Sequence, residues 1–229
     1  MEYNYKTNQC EAIPQEDCMT FVDPVKKTYV LNYSGWDTNG DRCLSPKEAD
    51  AVTMLKSNSI GKIGNSFDGT KIQTLEDLNK FRNLKRMQMY SVNNCNLLKT
   101  VLLTNVKTLD TYSLDQDRNI ETLALPLANH FDTYFADDLR NLKHLFLTAP
   151  GNFEYEIYSF LALTKDVRQP NWSNEMEMGN KNVTLYLSRD KRSKASPKII
   201  SSTEWGDVFK DNGGQNQTWY HWKAIYVCD

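Results

Sequence analysis

Leu98-Lys-Thr-Val101-Leu-Leu103, Ile120-Glu-Thr-Leu123-Ala-Leu125 and Leu142-Lys-His-Leu145-Phe-Leu147 share one frame, and each copy starts 22 residues after the one before. Aliphatic residues fill its first, fourth and sixth places. Alternation over the last of these fits a short strand with one buried face. Pro126 follows Leu125 directly, where it ends a strand comfortably and would break a helix. A unit this short cannot bury its own apolar face, so neighbouring copies must cover one another. The repeat predicts an α/β solenoid of short leucine-rich repeats, with parallel strands and leucines pointing into one continuous core. Val106, Leu109, Tyr112 and Leu114, then Phe131, Tyr134 and Phe135, recur between the frames. They read as a returning apolar turn, giving one strand per unit.

Outward from this block the pattern loosens. Ile72, Leu75, Leu78, Phe81, Leu84 and Met87 form an irregular first unit, 26 residues from Ile72 to Leu98. Downstream, Asn182-Val-Thr-Leu185-Tyr-Leu187 supplies another strand, but Leu185 lies 40 residues after Leu145. The excess is expected as a polar, protruding insertion over residues 163–181. The basic stretch Arg189-Asp-Lys-Arg-Ser-Lys reads as a solvated turn. Beyond it, Ser202 to Phe209 reads as a short capped helix and Lys223 to Val227 as a last strand, together a C-terminal cap. The organisation is thus an N-terminal segment (1–19), a helix-loop-helix (20–62), the repeats (63–188) and the cap (189–229).

The helix-loop-helix centres on Trp36-Asp37-Thr-Asn39-Gly-Asp41-Arg42-Cys43-Leu44-Ser45-Pro-Lys-Glu48. Oxygen-bearing side chains at positions 1, 3 and 5, an aliphatic residue at 8 and Glu at 12 match an EF-hand loop, which wraps a hard cation in oxygens. Asp37, Asn39, Asp41, the Cys43 carbonyl and Glu48 would hold structural Ca²⁺, with Ser45 acting through water. Arg42 takes the place of the usual glycine at position 6, which weakens or empties the site. Ser45 and Glu48 also read as a plain capping box opening a helix from Pro46 to Leu55, although that leaves Asp37, Asn39 and Asp41 unexplained. A preceding helix is expected from Pro24 to Leu31. A lone extracellular hand would bind weakly, at about 10⁻⁴–10⁻³ M.

The 229 residues carry 27 basic and 29 acidic side chains, a net charge of −2. That balance argues against nucleic acid and anionic membrane as partners. No run approaches the roughly 18–20 apolar residues of a membrane span. Met1-Glu-Tyr-Asn-Tyr lacks the features of a secretory leader, so the protein is cytosolic or its leader has been removed. Cys10, Cys18, Cys43, Cys95 and Cys228 form no zinc pattern. Cys10 and Cys18 could pair across a short loop, and five free thiols are equally compatible with the odd count.

The acidic loop, the following Leu44-Ser-Pro-Lys-Glu-Ala-Asp-Ala-Val-Thr53, and Cys95-Asn-Leu-Leu98-Lys-Thr-Val101-Leu-Leu103 together resemble the BspA-like leucine-rich repeat surface proteins of gut Bacteroides. Thr184-Leu-Tyr-Leu-Ser188, Trp205 and Phe209 are similar to that family's terminal cap. Arg42 and Thr104, the latter where the family has proline, depart from its pattern. The resemblance implies an exported, surface-displayed adhesion or protein-interaction module without catalytic activity, acting as a monomer on a host or bacterial surface protein or glycan. An accessory carbohydrate-binding component, or a cryptic glycan-acting enzyme, is the alternative.

The chain contains no G-x-S-x-G, P-loop, dinucleotide-binding turn or H-E-x-x-H. His130 is expected in a turn, His221 in the aromatic cap, and the neighbouring Asp137 and Asp138 in a turn facing water. A binding surface is better placed. Aligning the frames puts Thr100, Thr122, His144 and Thr184 in one outward row, Leu102, Ala124, Phe146 and Tyr186 in the next, and Thr104, Pro126, Thr148 and Ser188 in a third. Leu102, Phe146, Tyr186 and His144 are the candidate contacts. The plainer reading is that scattered exposed apolar residues are ordinary and the insertion lies over them.

Overall fold

The structure is a computed structural model and describes residues 2–4, 9–11, 17–32, 34–56, 62–63, 67–68, 71–150, 154–155, 163–164, 182–188, 209–210, 216–217 and 222–228. Its body is parallel strands in three sheets. The front sheet has five, in the order Thr100–Leu102, Thr122–Ala124, His144–Leu147, Thr184–Ser188 and Ala224–Cys228. A second sheet runs Met54–Leu55, Arg86–Met87, Thr108–Leu109, His130–Phe131 and Glu154–Tyr155. The third is Val92–Asn93, Leu114–Asp115 and Ala136–Asp137. Short antiparallel pairs join Glu2–Asn4 to Gln9–Glu11, Lys62–Ile63 to Phe67–Asp68 and Phe209–Lys210 to Asn216–Gln217.

The register repeats the sequence period in every sheet. Val101 lies beside Leu123 and Leu123 beside Leu145, Met87 beside Leu109 and Leu109 beside Phe131, Val92 beside Leu114 and Leu114 beside Ala136. Each regular unit therefore supplies three strands, where the sequence reading expected one and a returning turn. The extra strands are only two residues long, and units above and below hold them. The Lys107 and Thr108 N–H groups both donate to the Lys85 carbonyl (2.8 and 3.0 Å), and those of Asn129 and His130 to the Lys107 carbonyl (both 3.1 Å). His130 thus sits in a strand and not in a turn. The front sheet then takes two steps of 40 residues, from His144 to Thr184 and from Thr184 to Ala224, both in parallel register. Leu163, the expected start of the protruding insertion, is instead buried in the core, its carbonyl accepting the Leu139 N–H at 2.9 Å, and Phe209, the expected last residue of the helix from Ser202, lies in the strand Phe209–Lys210. The insertion beyond Thr164, the basic stretch, His221 and residues 202–208 lie outside the described residues.

Inward-facing residues of all three sheets form one continuous core, joined by residues of the N-terminal helices and by Trp222. The corners between sheets repeat too. Tyr90, Tyr112 and Tyr134 have φ of 54, 52 and 51°, and Asn94, Gln116 and Asp138 have 55, 57 and 57°. Left-handed backbone costs a non-glycine residue about 1–2 kcal/mol. Bonds between units offset it: Tyr90 N–H donates to the Tyr112 carbonyl and Tyr112 N–H to that of Tyr134, both at 3.0 Å. The three rings stack at centroid distances of 5.4 and 5.8 Å.

Behind this corner runs a buried polar column. Ser91 and Ser113 donate their hydroxyls to the carbonyls of Ser113 and Phe135. Asn93 Nδ2 donates to Asp115 Oδ2 at 2.7 Å, and Asp115 lies in register with Asp137. Asp117 Oδ1 accepts the Cys95 N–H at 2.6 Å. Burial pushes the Asp117 carboxyl up to about 8, against the pull of that hydrogen bond and with help from the Asp115 charge. Burial and Asp117 likewise push the Cys95 thiol well up, so it packs as a neutral side chain. Asp137 and Asp138 are buried and do not face water, because their corner is enclosed within the stack. Asp138 is matched by Arg118 (2.7 Å) and Arg140 (2.5 Å).

The N-terminal unit closes one end of the stack. Helix α1 spans Pro24–Asn32 and α2 Pro46–Ala51. The second helix stops short of the expected Leu55, because Met54–Leu55 pairs with Arg86–Met87 and opens the second sheet. Asp23 caps α1 through the N–H groups of Val25 and Lys26 (2.9 and 3.1 Å), while its other oxygen accepts from Gln73 and Thr74 (2.7 and 3.3 Å). Asp77, in the 3₁₀ turn Glu76–Lys80, accepts the Val22 and Asp23 N–H groups (2.9 and 3.0 Å) and faces Lys26 at 3.6 Å and Lys80 at 3.1 Å. Burial raises Asp77, but those N–H groups and Lys26 outweigh it and hold the carboxyl below its ordinary value. From the same turn the Asn79 side chain donates to the Leu102 carbonyl and accepts from Thr104 N–H (2.9 and 2.8 Å), occupying the free edge of the front sheet. Cys18 is bonded to Cys43 and not to Cys10. The segment before α1 runs beside the acidic loop, where Met19 N–H donates to the Leu44 carbonyl at 2.9 Å, and this brings the two cysteine Cα atoms to 5.1 Å.

Asp77→Ala is expected to cost about 3–5 kcal/mol in chemical denaturation at neutral pH, because it strands the buried Lys26 charge. Since the folded value of Asp77 is depressed, its contribution is present above the ordinary carboxylate value and lost as pH falls through the folded one. Asp117 has the opposite sign: its raised value favours folding below about pH 4, and that contribution drains away up to about pH 8. Asp117→Asn should therefore melt no higher than the parent near pH 4, gain progressively to pH 8, and level off above it. A gain independent of pH would exclude titration of Asp117 as the cause.

Candidate functional site

Alternation along each front-sheet strand places Val101, Leu123, Leu145 and Leu185 in the core and turns their neighbours outward. The outward row is Leu102, Ala124, Phe146 and Tyr186 in direct register, as the sequence predicts, and the last strand extends it with Tyr226. Phe146 and Tyr186 stack at 4.1 Å with their planes 8° apart, and Tyr186 and Tyr226 at 5.6 Å and 26°. Stacking of this kind adds about 0.5–1.5 kcal/mol per pair beyond area burial. His144, in the preceding row, sits 5.9 Å from the Tyr186 ring, with Nδ1 3.2 Å from its hydroxyl. The hydroxyl thereby fixes the orientation of the imidazole edge.

All four predicted contacts lie on this face. Leu102 is 45% exposed and Tyr226 56%, with Phe146 and Tyr186 half-buried between them. Tyr226 is the member of the row that sequence reasoning did not place. Its signal was present in Ala224-Ile-Tyr226-Val-Cys228, which has the alternation of the earlier frames, but the second 40-residue step hides the alignment. At the opposite edge, Gln73, Thr74, Leu97, Lys99 and Thr100 line an open cleft of about 470 Å³. It adds an amide, hydroxyls and an ammonium group to the apolar end of the row. At the strand starts, Lys143 binds Glu121 at 2.7 Å.

The acidic loop has a different character. Arg42 adopts φ 65°, so the left-handed turn expected of a glycine at position 6 is reached by arginine. Asp37 accepts the N–H groups of Gly40 and Arg42 (2.9 and 3.0 Å), Asn39 that of Asp41 (3.0 Å), and Asp41 that of Cys43 (2.7 Å). The capping box is also present: Ser45 accepts the Glu48 N–H at 3.3 Å, and Glu48 accepts the Ser45 N–H and hydroxyl, both at 3.0 Å. The other Glu48 oxygen accepts the Thr38 N–H and hydroxyl (2.7 and 2.8 Å). Burial opposes its charge, but the Ser45 and Thr38 donors prevail and bring Glu48 down to about 2. The donor set is all hard oxygen, the chemistry Ca²⁺ selects. Among the described residues, however, no three His, Cys, Asp or Glu side chains are gathered around a point that could hold a metal ion. In this conformation the carboxylates satisfy backbone N–H groups.

The described residues contain no helix long and apolar enough to cross a membrane. Comparison with protein-family models, curated proteins and solved structures finds no match for the chain.

Proposed function

We propose that the chain is a short leucine-rich repeat solenoid of the BspA-like type, working as a non-catalytic adhesion or protein-interaction module outside the cell or on its surface. The observation that carries this reading is the outward row of the front sheet. Inward residues are fixed as aliphatic by the core, whereas nothing in the core requires Phe146, Tyr186 and Tyr226 to be aromatic. A stacked aromatic row with an exposed end, beside an oriented imidazole, supplies rigid contact area at low entropic cost. The disulfide between Cys18 and Cys43 fits an oxidising compartment. The partner is a surface protein, and the glycan alternative is decided by the same experiment.

Within this reading the acidic loop is a structural Ca²⁺ site that holds the N-terminal unit to the stack. Asp37, Asn39, Asp41, the Cys43 carbonyl and Glu48 would hold the ion, with Ser45 through water. Its chemistry there is charge neutralisation and cross-linking of the loop to α2.

On arrays of host proteins and glycans, the parent chain is expected to give a hit that Phe146→Ala and Tyr186→Ala lose. Each substitution should lower stability by about 1 kcal/mol through the broken stack, which leaves the fold intact. A retained hit in both variants would remove the front sheet from consideration, and turnover of a glycan dependent on one acidic residue would favour an enzyme. A chelator is expected to lower the melting temperature of the parent and to leave Asp37→Ala unchanged. Equal melting of the parent with and without Ca²⁺ would reduce the loop to a capping motif.

A further inference from the structure

The outward row of the front sheet is a ladder with one rung cut short. Leu102, Ala124 and Phe146 are direct neighbours across three strands, and Ala124 ends at its Cβ. Strands about 4.8 Å apart put the outer two roughly 10 Å from each other, and between them the row contributes only the alanine methyl, which by this spacing leaves a gap one ring wide. The intact part of the ladder shows what such spacing accepts: its rings sit 4.1 and 5.6 Å apart, face to face. A flat ring standing over Ala124 would lie at comparable distance from the Phe146 ring on one side and the exposed Leu102 side chain on the other.

We infer that this gap is a binding slot for a single aromatic side chain of a protein partner, one that neighbours an acidic residue. The inference rests on the reading of the front sheet as the interaction surface. Two features select the occupant. Along the central strand the gap is bounded by Thr122 and Pro126, which offer a methyl, one hydroxyl and an apolar ring. A pyranose needs several directed hydrogen bonds, and along this strand the two neighbours offer a single hydroxyl; an aromatic ring needs none. Three positions before the row, on the order of 10 Å along the strands, the strand starts carry Lys99, Glu121 and Lys143, with Glu121 bound by Lys143 at 2.7 Å. Two lysines against one glutamate leave one positive charge in excess, which an acidic neighbour of the inserted ring would meet.

Methyl-resolved NMR on the intact chain, labelled at alanine, tests this with N-acetyl-aspartyl-tyrosinamide, N-acetyl-lysyl-tyrosinamide and methyl glycopyranosides as probes. The aspartyl peptide should give a saturable shift of the Ala124 methyl, the lysyl peptide a weaker one at low salt, and the glycosides none. Ala124→Phe should abolish peptide binding while its melting temperature stays level or rises, since it completes the ladder. The titration of the parent stands alone if that variant does not fold. Peptide shifts confined to the Tyr186–Tyr226 end, with Ala124 unmoved, would overturn the slot and leave the surface reading standing. Shifts of Ala124 by glycosides instead of peptides would overturn the choice of occupant. No shift anywhere on the face, together with array hits that survive Phe146→Ala, would overturn both.

Discussion

Everything in this molecule depends on parallel stacking in register at a step of 22 residues. Under that constraint each side chain meets its counterpart from the next unit about 4.8 Å away, so every chemical choice becomes a column. For leucine and tyrosine, like meeting like is favourable, and the core and the stacked corner tyrosines follow. For aspartate it is not. The third sheet brings Asp115 beside Asp137 in the interior, and the surroundings compensate: Asn93 donates to one end of the column, Arg118 and Arg140 neutralise Asp138, and Asp117 keeps its proton. The buried carboxylates are thus a consequence of the register and need no catalytic explanation.

A stack has ends, and the N-terminal unit resolves one of them. Its helices cover core residues of the first turn, and Asp23 and Asp77 tie them down reciprocally, each carboxylate accepting N–H groups from the other's segment or its own. Because Met54–Leu55 passes straight from α2 into the second sheet, the helices and the strands share one core. Asn79 completes the closure by lending its amide to the backbone of the front edge strand, where an added strand would otherwise find partners.

The front sheet was legible in the sequence as far as Thr184–Ser188 because its strands alternate over enough residues to show a period, and the leucine frame persists through the first 40-residue step. The second and third sheets were not: a two-residue strand such as Thr108–Leu109 has no period, and only its hydrogen bonds to adjacent units define it. The left-handed corners escaped for a related reason, since Tyr112 or Gln116 in that conformation is imposed by contacts from both neighbours and not by local propensity. The loop spacing and the capping box could both be read between Asp37 and Glu48, and of the two the structure forms the capping box. The pairing of Cys18 with Cys43 was hidden, because it depends on a segment folding back across 25 residues without any periodic signal. Asp137 and Asp138 looked solvent-facing for the same cause: the sequence reads as a turn, whereas register makes Asp137 a strand residue of the third sheet and puts both carboxylates inside the stack.

Register also separates what is fixed from what is free on the front sheet. Inward positions hold Val101, Leu123, Leu145 and Leu185, near-equal aliphatic volumes that the core demands of every unit. The outward row runs from leucine through alanine to phenylalanine and two tyrosines across the same strands. A repeat with only structural duties would be expected to show short polar residues there, as Thr100 and Thr122 do in the adjacent row. The change from aliphatic to aromatic, with one rung omitted, is therefore a property that the core does not impose. It is on this row, and not in the buried acidic column or the capped loop, that the sequence is free of the demands of the core and the caps.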